Sequence, residues 1–180
     1  FLTDVGISSN SAACNLGAGV ALARSVGPET DPADKAARLA EAEGYLRRAV
    51  ELHPHYLDGW VWLGFVQRER GDKAAGRESL ENALQLDRGN AAAVKYLAFD
   101  GCTLLNDGKP AESIVYFETL VRHVPQTDDF VYFLAQAYEQ AGHPEKGVEV
   151  LEALVERRPG ARRPMERLKE VRERMGDRDP

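Results

Sequence analysis

The sequence predicts an all-α fold that is built as an array of antiparallel helix pairs. Three segments, starting at residues 56, 94 and 128, align with one another in sequence. Each has a helix-length apolar pattern, a glycine turn and a second amphipathic stretch. The turn glycines lie 37 and 34 residues apart, and a repeat of this period is typical of helical arrays. They are Gly71, Gly108 and Gly142.

The glycine turns predict where each first helix ends and each second helix begins. Glycine adopts the left-handed conformation of a helix C-terminus at little cost. In two segments a proline, Pro110 or Pro144, follows within two residues, where it cannot continue the preceding helix. Each segment is therefore predicted to be a helix, a tight turn and a helix.

The repeated pattern resembles the tetratricopeptide repeat, a helical pair of about 34 residues. The first segment matches it at Trp60, Leu63, Gly64, Gly71, Gly76, Leu80 and Ala83. The second matches at Leu97, Gly101, Leu104, Gly108, Ser113, Phe117, Leu120 and Pro125, and the third at Val131, Leu134, Ala135, Tyr138, Gly142, Gly147, Leu151, Leu154 and Pro159. The resemblance implies a right-handed α-solenoid of about four repeats with a C-terminal capping helix.

An interrupted repeat precedes these three. Asn15, Leu16, Gly17 and Val20 fit its first helix, and Ala42, Leu46, Ala49 and Pro54 fit its second. The two sets lie about 13 residues further apart than the pattern requires. The sequence between them has the composition of a loop, so we predict an inserted loop at 25–36. Asp31 or Asp34 is expected to cap the helix that follows.

These observations divide the chain into five parts. Residues 1–55 contain an N-terminal segment and the first repeat, residues 56–93, 94–127 and 128–161 are the next three repeats, and residues 162–180 are a capping helix and tail. The last helix has Met165, Leu168, Val171 and Met175 on one face. Its charged outer face suits the end of an array.

Composition excludes several classes of protein. The 180 residues are 43% apolar, which is enough for a core, and the net charge of −6 argues against a general nucleic-acid binder. No stretch is apolar enough to span a membrane. Residues 157–180 carry nine basic and five acidic residues. Those arginines would suit an acidic partner, a phosphate or an anionic membrane surface, although a solvated capping helix is the simpler interpretation.

The family resemblance implies a concave groove that is lined by the first helix of each repeat. Its positions in this sequence predict a partner-binding groove formed by Asn15, Trp62, Phe65, Arg68, Lys95, Phe99, Cys102, Tyr132, Phe133 and Gln136. One equivalent position holds Asn15, Trp62, Phe99 and Phe133. We expect an apolar peptide or protein segment to dock against these aromatic rings, with nearby polar side chains fixing its polar groups.

Two further interpretations of the aromatic residues stay open. Aromatic side chains at helical spacing also form cores, and residues 1–9 or a second copy of the protein would fill the same groove. Trp62→Ala and Phe99→Ala should weaken a partner without unfolding the array if the groove is correct. The chaperone-binding members of this family hold a terminal carboxylate with a lysine and asparagine clamp. Cys14 and Ala18 occupy two of those positions, so chaperone tails are not expected as partners.

No pattern in the sequence indicates catalysis, a cofactor or a metal site. Nucleophile-elbow, phosphate-loop and dinucleotide-binding motifs are absent. His53 and His55 have no further ligands at metal-binding spacing. Cys14 and Cys102 fall two repeats apart, too far for a disulfide.

The sequence thus predicts a non-catalytic scaffold for protein–protein interaction. Residues 3–12 and 46–52 also look similar to the repeat regions of bacterial membrane glycosyltransferase-like proteins, which would imply a periplasmic domain. A secretion or pilus assembly chaperone and a self-associating scaffold are two more candidate functions. The start at Phe1 suggests a mature product or an excised domain, so the compartment, cytoplasmic or extracytoplasmic in a bacterium, stays undetermined.

Overall fold

A computed structural model describes residues 11–176, which form nine helices and no strand. The helices are α1 (Ala12–Arg24), α2 (Pro32–Leu52), α3 (Leu57–Glu69), α4 (Lys73–Leu86), α5 (Ala91–Asn106), α6 (Pro110–His123), α7 (Asp128–Gln140), α8 (Pro144–Arg157) and α9 (Arg162–Gly176). The all-α repeat fold predicted from the sequence is confirmed. The chain divides into an N-terminal unit, Phe1–Ala93, and a C-terminal unit, Val94–Pro180. Among the described helices, none is both long and apolar enough to cross a membrane.

Three helix pairs close with the same glycine turn. Gly71, Gly108 and Gly142 have φ values of +89°, +72° and +84°, as predicted for left-handed C-terminal residues. After Gly71, the backbone N–H of Asp72 donates to the carbonyl of Gln67 at 3.0 Å. Bonds between residues five apart also follow the other two turns, at 2.8 Å each. These bonds satisfy carbonyl groups that the end of each helix leaves without a partner.

Small residues let the two helices of a pair approach closely. A Cβ atom added at Gly64 of α3 would lie 2.7 Å from Leu80 Cγ and 3.0 Å from the carbonyl oxygen of Gly76 in α4. In the C-terminal unit, a Cβ at Gly147 would lie 3.1 Å from the carbonyl oxygen of Ala135. The crossing of each pair therefore depends on the small residues that the repeat pattern contains.

The first pair crosses at Gly19, not at Gly17. A Cβ at Gly19 would lie 2.6 Å from Leu46 Cγ and 3.1 Å from the carbonyl oxygen of Ala42, the same contacts that Gly64 makes in the next repeat. A Cβ at Gly17 would meet nothing within 4 Å. The predicted register of α1 was therefore wrong by two residues, whereas the register of α2 agrees with the structure.

The inserted segment is mostly helical. The prediction of a loop at 25–36 was too long, because α2 already begins at Pro32. The Asp31 carboxylate accepts hydrogen bonds from the backbone N–H groups of Ala33 and Asp34, at 2.9 and 3.4 Å. This cap and the proline in the first turn start the helix early. As a result α2 has 21 residues, whereas α4 has 14.

Each unit has its own hydrophobic core. In the N-terminal unit, Ala23, Leu39, Ala42, Leu46, Val50, Leu63 and Val66 form one buried cluster. In the C-terminal unit, Leu168 and Val171 of α9 pack against Ala135 and Leu151. Burial of a leucine side chain of this kind stabilises the fold by about 2 kcal/mol. The helix α9 thus covers apolar surface of the repeat before it.

Candidate functional site

In the N-terminal unit, Trp62 and Phe65 are partly buried. Their rings meet edge to face, with centroids 5.6 Å apart, and both rings pack against the core cluster of the unit. The guanidinium of Arg24, in the last turn of α1, lies 5.2 Å from the Trp62 ring centroid. A cation at this distance is attracted by the ring. These two aromatic residues therefore contribute to folding as well as to the surface.

The other two predicted groove residues of this unit, Asn15 and Arg68, lie on different helices, α1 and α3. Asn15 is 6% exposed, and its amide donates to the Ser11 carbonyl at 2.9 Å. Because Gly19 occupies the crossing position, Gly17 and not Asn15 is the equivalent of Trp62. The assignment of Asn15 to the row of aromatic positions was therefore wrong. Arg68 is half-buried near the end of α3.

A buried polar cluster, which was not predicted from the sequence, links α2, α3 and α4. Glu43 in α2 is 7% exposed and forms ion pairs with Arg47, at 2.6 Å, and with Arg70. Beside it, the buried Gln67 amide lies 2.7 Å from the Ser79 hydroxyl. In the orientation that satisfies both ends of this amide, its nitrogen donates to Ser79 and its oxygen accepts from Arg47. Periodicity within a helix does not reveal such a contact, because Glu43 and Arg70 are 27 residues apart.

In the C-terminal unit, Phe99 is the most exposed of the predicted aromatic residues. Its side chain is 63% exposed on α5, whereas Phe117 of the following helix is fully buried. Lys95 lies one turn before Phe99 and is also exposed. Cys102 is half-buried, and burial raises the pKa of its thiol. Phe99 therefore presents an aromatic ring that the packing of the described residues leaves largely uncovered.

On α7, the predicted groove residues Tyr132, Phe133 and Gln136 are all half-buried. Phe133 stacks on Phe117, with ring centroids 5.4 Å apart. It also meets Tyr132 edge to face at 5.9 Å. The guanidinium of Arg167 in α9 lies 5.7 Å from the Tyr132 ring centroid. This part of α7 thus carries a small aromatic surface that α9 partly covers.

The arginines near the C-terminus form ion pairs with the unit to which they belong. Arg167 and Arg174 bind Glu139 at 2.7 and 2.9 Å, and the side chains of Arg167 and Glu139 are 15% and 12% exposed. Further pairs between different elements are Arg158–Asp128 at 2.9 Å, Arg163–Asp129 at 3.4 Å and Arg172–Glu152. Much of the predicted basic surface is therefore engaged in holding α9 against α7 and α8.

An open cavity of about 400 Å³ lies between the first turns of α7 and α9. Its lining includes Asp128, Asp129, Tyr132, Arg162, Arg163 and Pro164. From the sequence, Tyr132 was predicted as a groove residue and the arginines only as part of a basic tail. The signal that would have joined them is the placement of Asp128 and Arg162 one repeat length apart, each at the start of a helix.

The described residues show no group of His, Cys, Asp and Glu side chains that could hold a metal ion. His53 and His55 have ring centroids 6.4 Å apart, and His53 also meets Tyr56 edge to face. Cys14 and Cys102 are free thiols.

Comparison with known proteins agrees with the helical repeats. Two sequence models of the tetratricopeptide repeat match residues 33–93 and 104–170, and together they span more than two thirds of the chain. The curated relatives include the peroxisomal targeting signal receptors of Komagataella phaffii and Saccharomyces cerevisiae, which are 36% and 35% identical over 75 residues. The match covers 42% of this chain but only 12% of each receptor.

Solved structures with a similar fold include MamA and YrrB. MamA has a TM-score of 0.48 and 20% sequence identity, and the match covers 82% of this chain and 73% of MamA. YrrB, described as a TPR protein with an unusual peptide-binding site, has a TM-score of 0.47 and 14% sequence identity. The match covers 96% of this chain and 81% of YrrB. The repeated helix pairs, their glycine turns and both sequence matches identify the chain as a member of the tetratricopeptide repeat family, a protein-interaction scaffold.

Proposed function

We propose that the C-terminal unit binds an extended apolar peptide segment of a partner protein on the side where Phe99 is exposed. The exposure of this ring is the observation that carries the proposal. At 63% exposure, Phe99 is the most exposed large apolar side chain among the described residues. Covering its ring with a partner would remove apolar surface from water, and aromatic residues are enriched at protein interfaces. Tyr132, Phe133 and Gln136 are proposed to contribute further contacts from α7.

Two further observations support a peptide ligand. The curated relatives are receptors for a targeting signal, which supports recognition of a protein segment by this chain. Aromatic residues also bind peptides with little loss of side-chain entropy, because only two torsion angles must be fixed. Lys95, one turn from Phe99, would hold a carbonyl or carboxylate of the bound segment.

The test is a selection of random twelve-residue peptides, displayed on phage, against the immobilised protein. Selected peptides should be rich in apolar side chains. The affinity of the best synthetic peptide should fall about tenfold in Phe99→Ala, as expected when an anchor residue is removed. Val115→Ala is the matched control, because Val115 is 41% exposed on α6 of the same repeat.

The proposal is wrong if Phe99→Ala and Val115→Ala bind the peptide equally well. Light scattering of the purified protein tests for a self-associating scaffold, which would be oligomeric in the absence of peptide. The unit, with its repeats proposed at 94–127 and 128–161, is proposed to act without catalysis. An extracytoplasmic repeat region of a membrane glycosyltransferase-like protein, or a secretion or pilus assembly chaperone, is an alternative to this proposal.

A further inference from the structure

The cavity between α7 and α9 has an uneven charge. Asp128 pairs with Arg158 at 2.9 Å, and Asp129 pairs with Arg163 at 3.4 Å. Within residues 11–176, Arg162 has no carboxylate partner and is exposed at the edge of the cavity. The lining therefore contains two carboxylates that are each paired with an arginine, and one arginine, Arg162, that is not paired with a carboxylate of the described residues.

The cavity also has an apolar part. Tyr132 and Pro164 belong to its lining, and Tyr132 is in edge-to-face contact with Phe133 at 5.9 Å. The cavity therefore adjoins the aromatic surface to which the proposed peptide would bind. A volume of about 400 Å³ is sufficient for one or two amino-acid side chains.

We propose that this cavity binds an acidic side chain of the peptide, with the carboxylate on Arg162 and a neighbouring apolar side chain on Tyr132 and Pro164. This inference rests on the proposed function and specifies the chemistry of its ligand. An aspartate or glutamate inside the peptide fits better than a terminal carboxylate. An internal residue lets the peptide continue beyond the cavity towards Phe133, whereas a terminal carboxylate would end the chain there.

Two substitutions in the lining of the cavity should change the affinity for an acidic peptide in opposite directions. Arg162→Ala removes the cation that would bind the carboxylate, so the affinity should fall. Asp129→Asn removes a negative charge near the same point, so the affinity for an acidic peptide should rise. A general loss of structure would weaken binding in both variants and would not produce this opposition.

The experiment uses fluorescein-labelled, C-terminally amidated peptides that are identical except at a central Glu, Gln or Lys, with Leu and Phe on either side. A Gln peptide with a free C-terminal carboxylate is a fourth probe. Fluorescence polarisation should show that the wild-type protein binds the Glu peptide about tenfold more tightly than the Gln peptide. In Arg162→Ala the two affinities should become equal, with the Gln peptide unaffected. Lys169→Ala is the control, because Lys169 is on α9, is 79% exposed and lies outside the cavity.

The outcomes separate the two proposals. Equal binding of the Glu and Gln peptides, or tightest binding of the Lys peptide, overturns the acidic site and leaves peptide binding in place. Tight binding only by a Gln peptide with a free C-terminal carboxylate also overturns it, in favour of a terminal carboxylate. If none of these designed peptides binds, and Phe99→Ala also leaves the affinity of the phage-selected peptides unchanged, the proposed function fails together with this inference.

Discussion

The register of the first repeat can be tested with two alanine substitutions in one helix. Gly17 and Gly19 both lie in α1, two residues apart, yet only Gly19 contacts α2. A methyl group at Gly19 would lie 2.6 Å from Leu46 Cγ and 3.1 Å from a backbone oxygen. Leu46 is fully buried and cannot easily move away. A methyl group at Gly17 would meet open space.

The expected effects have opposite signs. Alanine in place of an exposed helical glycine stabilises by about 1 kcal/mol, so Gly17→Ala should raise the free energy of unfolding by about that amount. Gly19→Ala has the same gain but also overpacks the crossing, which costs about 2 kcal/mol. Its net effect is a loss of about 1 kcal/mol. The two variants should therefore differ by about 2 kcal/mol, or about 6 °C in Tm for a chain of this size.

Thermal unfolding followed by circular dichroism measures this difference. Gly44→Ala on α2 is a second control, because a methyl group there also meets nothing within 4 Å, and it should behave like Gly17→Ala. A Tm of Gly19→Ala equal to or above that of Gly17→Ala would refute the argument. The crossing would then not lie at Gly19, and the assignment of Asn15 to the aromatic row would be open again.

Two further predictions concern polar side chains that are buried or partly buried between helices. Glu43→Gln should lower the free energy of unfolding, measured by urea titration, by about 2 kcal/mol, because two partly exposed arginines lose their buried carboxylate partner. Lys169→Ala, which breaks only a surface pair, should change the free energy of unfolding by less than about 0.5 kcal/mol. Burial, with the 2.6 Å hydrogen bond to Glu118, raises the pKa of Tyr138 to about 12. Since the phenol then loses its proton at lower pH in the unfolded chain, the contribution of Tyr138 to stability should be constant below about pH 10 and should fall as the pH rises towards 12. In Tyr138→Phe that part of the fall should be absent, and a pH profile identical to wild type would contradict the assignment.

Most of the helical architecture could be predicted because its signals are local. Each glycine turn combines a residue suited to positive φ with apolar periodicity on both sides. The register of α1 failed for a physical reason. Seven of its 13 residues are glycine or alanine, so two glycines fitted the crossing equally well and no large side chain decided between them. Only the contact with Leu46 distinguishes them.

The candidate site could be predicted less completely. The repeat pattern places Phe99 and Tyr132 on the first helices of their pairs, but it does not tell how much of each ring a neighbouring helix covers. The ion pair between Arg167 and Glu139 joins side chains 28 positions apart in the sequence. Contacts of this kind depend on how α9 packs on α7, which helical periodicity does not contain. The cavity at Arg162 is hidden from the sequence for the same reason.

The additional length of α2 has a consequence for the insertions that this repeat tolerates. Seven more residues than in α4 correspond to a rotation of about 700° around the helix axis, only about 20° short of two full turns. Ala42 and Leu46 therefore keep the angular phase that brings them to Gly19. An insertion of five residues would rotate the same face by about 140° and carry Leu46 away from α1. Changes in the length of this helix should thus occur in steps of whole turns. Beyond one turn, an insertion of about seven residues is the smallest that leaves the crossing in place.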